Sequence, residues 1–223
     1  MKRLIPPMLP LVLLLCLVGG PGCTEIDWVD FIKLNDITYT RVSETAPIDE
    51  TDLVLYAEIK HRVAGNVHNP DYKMRNGDAA YHEAGTPVYA IAGYAPTSRL
   101  AVKRGEDCLI YHVSNNPSAK TGGDLWDIGG KVEYIGVNGT VDGAELASIS
   151  EQTEVNELVR MVLEAAVDQG AQNRGSEQYF LEFHLNDGTT TTASYWLDTA
   201  ALGQIQLPAE FGATIRAALE AQQ

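Results

Sequence analysis

Cysteine is scarce in this chain: three in 223 residues, at positions 16, 23 and 108. So few exclude a scaffold stapled by disulfides. Positive charge is short as well, with 16 Lys and Arg against 30 Asp and Glu and a net charge of −14. Nucleic acid would be repelled by such a surface and is excluded as a partner. No apolar run reaches the ~20 residues that a membrane-spanning helix needs. There is no repeat of solenoid period and no low-complexity tract beyond Thr189–Thr192. Also missing are Gly-x-Ser-x-Gly, a phosphate loop, a dinucleotide fingerprint and Ser-x-x-Lys, so the enzyme classes built on them are not indicated.

What is present begins with a leader. Met1-Lys2-Arg3 is a positive n-region, Leu9–Val18 is an apolar run broken only by Pro10, and Gly19-Gly20-Pro21-Gly22-Cys23 follows. This is the three-part order of a secretory signal, expected over residues 1–22. Its removal takes Lys2 and Arg3 with it, and the remaining chain carries −16. The segment resembles the signal of bacterial lipoproteins, in which a cysteine after small residues is diacylated and becomes the N-terminus. That resemblance makes Cys23 the lipidation site. The chain would then be exported and held by its lipid anchor at the outer face of the cell membrane. Gly20-x-Gly22 also fits an ordinary cleavage site; the protein would then be secreted, and a Cys23–Cys108 disulfide becomes possible. Cys108 follows Gly105-Glu106-Asp107, an acidic setting that raises a thiol pKa and speaks against a catalytic cysteine.

The mature chain, 45% hydrophobic and 21% charged over the whole sequence, has ordinary globular composition and enough length for a core. Residues 23–113 read as a β-rich domain. Ile37–Val42, Leu53–Val63, Thr86–Tyr94, Arg99–Lys103 and Cys108–Val113 alternate or cluster β-formers between Gly and Pro breaks. Residues 114–123, all small polar or breaker types apart from Ala119 and Lys120, read as a linker or long loop. Residues 124–223 read as an α+β domain. Lys131–Val137 is a strand, and Glu151–Gln169 is a helix started by Ser150 or by a Ser148/Glu151 capping box and stopped by Gly170. Its apolar face is Val155, Leu158, Val159, Val162, Leu163, Ala166 and Val167. Tyr179–Leu185 and Thr189–Leu197 form a hairpin around Asn186-Asp187-Gly188, and Leu207-Pro208 opens a last helix. The fold class expected is α+β: a small antiparallel barrel or sandwich, then a strand–helix–hairpin–helix unit.

Chemistry is harder to find. His61 and His68, seven apart with Asn66, Asn69 and Asp71 nearby, lack the close pairing of a zinc site, and His82 and His112 lie on other segments. No metal and no cofactor is expected. Asp124-Leu125-Trp126-Asp127 pairs acids beside a Trp, as sugar-cleaving sites do, but reads as a solvated turn. Asn138-Gly139 reads as a hairpin turn, and the threonines at 189–192 as a solvent-facing strand rather than a binding face. Trp28 and Phe31 are expected to dock as an edge strand or short turn. Tyr39, Tyr56, Tyr72, Tyr81, Tyr89 and Tyr94 serve equally as core fillers or as a binding surface.

Asp27-Trp28-Val29-Asp30-Phe31-Ile32-Lys33 through Ile37-Thr38-Tyr39, Gly85–Tyr89 with Gly93-Tyr94, and Leu158–Val167 with the Asp187-Gly188 hairpin are similar to small uncharacterised lipoproteins of spore-forming Gram-positive bacteria. The resemblance implies a place outside the membrane and no particular activity. Without a visible nucleophile, metal or acid pair, the expectation is a binding or interaction protein for an unknown envelope protein or ligand. A cell-envelope hydrolase with a dispersed site, or a secreted inhibitor acting through the hairpin turn, are the alternatives.

Overall fold

A computed structural model describes residues 26–46, 48–168 and 175–222. Cys23 and Gly170 fall outside these. The fold is α+β, built on two sheets.

The first sheet takes β1 (Phe31–Leu34), β2 (Ile37–Ala46), β3 (Leu53–Glu58), β4 (His61–Arg62), β5 (Asp78–Ala79), β6 (Pro87–Ile91), β7 (Arg99–Arg104) and β8 (Asp107–Asn115). Their order is β3-β6-β7-β8-β2-β1-β5-β4, antiparallel except for β4 beside β5. The sheet curls around Ile32, Tyr39, Val88, Leu100, Val102 and Tyr111. Gly105, with φ +67°, makes the β7–β8 turn. Leu53–Val63 is two strands rather than one, because the chain turns at Lys60 from the Thr86 side of β6 to bond the backbone of Gly77. Phe31 is buried in β1, which lies inside the sheet between β2 and β5, and Trp28 packs on it at 6.0 Å between ring centroids. An inner strand therefore stands where an edge strand or turn was expected.

The second sheet takes β9 (Val132–Asn138), β10 (Glu145–Ile149), β11 (Gln178–Leu185), β12 (Thr190–Trp196), β13 (Ala201–Leu202) and β14 (Ile205–Gln206), ordered β10-β9-β11-β12-β13-β14. Helices α1 (Gln152–Glu164) and α2 (Ala209–Glu220) cover one face. Val155, Leu158, Val159 and Val162 of α1, with Phe211 and Ile215 of α2, meet Ile135, Val137, Leu181, Phe183 and Tyr195 in one core. The N-cap of α1 is Glu151, whose carboxylate accepts from the amides of Thr153 and Glu154. The helix ends five residues sooner than its apolar periodicity suggests. Ala166 and Val167 leave it to bridge Thr121 and Ile205, trading helical bonds for tertiary ones. The β9–β10 connection spans six residues rather than a tight Asn-Gly turn, with Gly143 in the left-handed region.

Residues 116–126 lie on the core of the second half. Asn116, Ala119, Gly122 and Leu125 are buried, and Gly122 is so close to α1 that a Cβ there would stand 1.9 Å from the Val162 carbonyl oxygen. Cys108 is a buried free thiol against Ile91, Ala101 and Ile110, and burial pushes its pKa up. Among the described residues no helix is long and apolar enough to cross a membrane.

Candidate functional site

The two sheets meet along β8 and β12, and the meeting is polar. Arg99, at the first position of β7, is 1% exposed. Its Nη1 reaches Asp187 Oδ2 at 3.0 Å and its Nη2 reaches Thr189 Oγ1 at 2.7 Å, both on the hairpin of the second sheet. The Tyr94 ring lies under the guanidinium at 4.5 Å and donates its hydroxyl to Asp187 at 2.7 Å. Asp127 accepts from the Ala95 amide and pairs with Lys131, whose ammonium faces the same Tyr94 ring. Burial raises the Asp187 pKa, but bonds from Thr189 and Tyr94 and the charge of Arg99 pull harder, and the net shift is downward.

Beside this junction a cleft of about 670 Å³ opens between the sheets. One wall is the β2–β8 face on which Thr40 and His112 stand opposite each other. The other is β12, from Thr190 to Ser194, with Trp126 and Gln204 completing the lining. β13 pairs with β12 only at Tyr195 and Trp196, and the cleft begins where that short strand stops covering the edge. Arg41 also lines the cleft, yet it pairs in register with Tyr111, so its side chain lies on the opposite face, where its guanidinium is 3.8 Å from Asp30. Glu182, on β11, is then the charged group left at the rim.

His112 carries the sharpest electrostatics. Its Nδ1 is 3.0 Å from Thr191 Oγ1, and its Nε2 is enclosed with no hydrogen-bond partner among the described residues. Burial, then the nearby Arg99 charge, push its pKa down to about 3. The ring is therefore neutral near pH 7 and holds a proton too weakly to act as a general base there. The Gln204 Oε1 atom is likewise enclosed and unpartnered, although its Nε2 donates to the Ser114 carbonyl at 2.8 Å. Each such orphan costs about 1–3 kcal/mol unless a ligand or water meets it.

The residues singled out in the sequence are dispersed. His61 is half-buried on β4 and His68 is exposed; Asn66 and Asn69 are committed to local backbone bonds. His82 lies on the far side of the first sheet, 2.6 Å from the buried Tyr111 hydroxyl, which donates to Asp30. No three His, Cys, Asp or Glu side chains among the described residues form a ligand set by themselves. The Asp124–Asp127 segment is no solvated turn: Leu125 is buried, Trp126 packs edge-on against Phe183, and Asp124 accepts from the Lys120 and Thr121 amides. Thr189 and Thr191 are buried at the junction, so the strand they occupy does not simply face solvent. Of the tyrosines, Tyr39 fills the core and Tyr94 serves the junction. Arg99 had one visible signal, a lone cation opening the apolar run Leu100-Ala101-Val102. No protein-family model, curated protein or solved structure matches the chain.

Proposed function

We propose that this chain is an exported binding protein, anchored through an acylated Cys23, whose ligand seats in the cleft between the two sheets. The observation that carries the reading is the cleft itself, about 670 Å³ between the sheets and lined by Thr40, His112, Trp126, Thr192, Ser194 and Gln204. The cleft volume lies in the range of small-ligand sites. Hydroxyls of Thr40, Ser114, Thr192 and Ser194 and the Trp126 ring favour a small polar ligand. Glu182 at the rim favours a neutral or cationic one.

Hydrolysis finds less support. Thr191 and His112 stand like a nucleophile and its base, but the base is too weak at neutral pH, and its other nitrogen meets no orienting carboxylate among the described residues. The Asn186–Gly188 turn, the contact an inhibitor would offer, already has its Asp187 held by Arg99 and Tyr94.

Calorimetric titration with N-acetylglucosamine oligomers and with short neutral peptide amides tests the proposal. A saturable heat that disappears in Thr192→Trp, which fills the cleft, is the expected result. Binding of either probe set undiminished in that variant, or no binding by any of them, would sink it.

A further inference from the structure

The second sheet has one hole in the face turned away from its helices, at Gly136 in the middle of β9. The strand register surrounds that glycine with Ser148 of β10 on one side and Glu182 of β11 on the other. Asn138 follows two positions along the strand, with Glu145 paired to it, and His184 lies diagonally across. A Cβ built on Gly136 would find Glu145 Oε2 at 3.1 Å, Asn138 Oδ1 at 3.3 Å and His184 Nε2 at 3.6 Å. Four side chains thus lean over the one residue that has none, since Glu182 Oε2 is itself 3.5 Å from His184 Nε2.

Two of these side chains each hold an atom that makes no hydrogen bond. Asn138 is 7% exposed, and its amide is oriented by Nδ2 donating to the Gly143 carbonyl at 3.3 Å, which turns Oδ1 toward the hole. That oxygen has no hydrogen-bond partner among the described residues, and neither has the enclosed His184 Nε2. The His184 ring is fixed by stacking on Tyr134, 4.0 Å between centroids and 8° from parallel. Glu145 and Glu182 are the two carboxylates of the ring. A buried amide oxygen aimed into an acidic ring with an imidazole beside it is not a packing arrangement.

We propose that Gly136 marks a divalent-cation site, with Glu145, Glu182, Asn138 and His184 as its ligands. As placed, Glu145, Glu182 and His184 are not a ligand set; binding draws the exposed Glu145 in beside the Asn138 oxygen. Three of the four ligands are oxygen acceptors, which a cation satisfies together, whereas one water has only two protons to give. Three oxygens with one imidazole nitrogen suit Zn²⁺ or Mn²⁺ better than Ca²⁺, whose sites are built from oxygen alone. Glu145 is exposed, so its side chain is free to draw in on the ion. The site stands whether or not the cleft takes a ligand.

The glycine supplies a clean test. Gly136→Ala has an ordinary backbone angle to occupy and meets only the ends of side chains, so the strand tolerates it while the methyl group fills the hole. His184→Phe keeps the ring stack and removes the nitrogen. Untagged protein titrated with ZnCl₂, MnCl₂ and CaCl₂ should bind one Zn²⁺ or Mn²⁺ at micromolar concentration, and Ca²⁺ at least tenfold more weakly. Both variants should keep the ion-free melting temperature within a few degrees and lose Zn²⁺ affinity at least tenfold. Absence of binding in the wild-type protein at millimolar ion, or affinity unchanged in both variants, would overturn the proposal.

Discussion

Arg99 and Asp187, 88 residues apart, meet at 3.0 Å where the two sheets join, the arginine enclosed and the carboxylate still partly in water. The asymmetry decides what mutation does. Removing the acid leaves a buried guanidinium with Thr189 as its remaining side-chain acceptor. Removing the arginine leaves an acid that water can still solvate.

Asp187→Ala should therefore cost about 2–3 kcal/mol in urea unfolding, below the 3–5 expected for breaking a fully buried pair because Asp187 is partly solvated. Adding Arg99→Met to that variant should restore part of the loss, since it removes the orphaned charge. A double variant no more stable than Asp187→Ala would show that the guanidinium is solvated after all.

His112 predicts an acid-sensitive fold. Its pKa falls from near 6.5 unfolded to about 3 folded, so between those values the unfolded chain binds the proton and the native chain does not. Stability is then full above about pH 6.5 and declines as pH falls toward 3, at up to about 1.4 kcal/mol per pH unit. Melting temperatures recorded from pH 7 to pH 4 should drop more steeply for wild type than for His112→Phe. Parallel curves for the two proteins would remove His112 as the cause.

Gly122 and Gly123 differ in what stands over them. A Cβ on Gly122 collides with the Val162 carbonyl of α1, whereas one on Gly123 stops 3.3 Å from the Leu163 carbonyl oxygen. Gly122→Ala should cost about 3 kcal/mol or more, because backbone must move, and Gly123→Ala less than about 1 kcal/mol. Chemical denaturation compares them directly, and equal costs would mean that the segment does not bear on α1 so closely.

Cys23 carries the proposal of membrane attachment. Mass spectrometry of the mature protein should find a diacylglyceryl group on an N-terminal Cys23, and Cys23→Ser should release the protein from membranes. An unmodified Cys23 in a soluble product would point to simple secretion.

The sequence exposed those features whose cause is local. The α1 face was readable because Val155, Leu158, Val159 and Val162 repeat at helical spacing and all four are buried. The β11–β12 hairpin was readable from alternation around Asp187-Gly188. The early end of α1 was not, since Ala166 and Val167 answer to Thr121 and Ile205 rather than to the helix. The cleft was hidden for the same reason. Thr189 and Thr191 look like any exposed β-strand threonines until Arg99 and His112 arrive from strands 90 and 79 residues away. The Gly136 site needs three strands in register before its residues meet, and His184 and Glu145 are 39 residues apart with no motif between them.

Every strand of the eight-stranded sheet lies before residue 116, and every strand of the six-stranded sheet lies after residue 131. No ladder waits for a strand from the other half, so the first sheet can form complete while the second is unmade. Arg99 emerges on that first sheet with its charged head in water. It loses that water only when Asp187 and Thr189 dock, so the sealing of Arg99 reports that the two halves have joined.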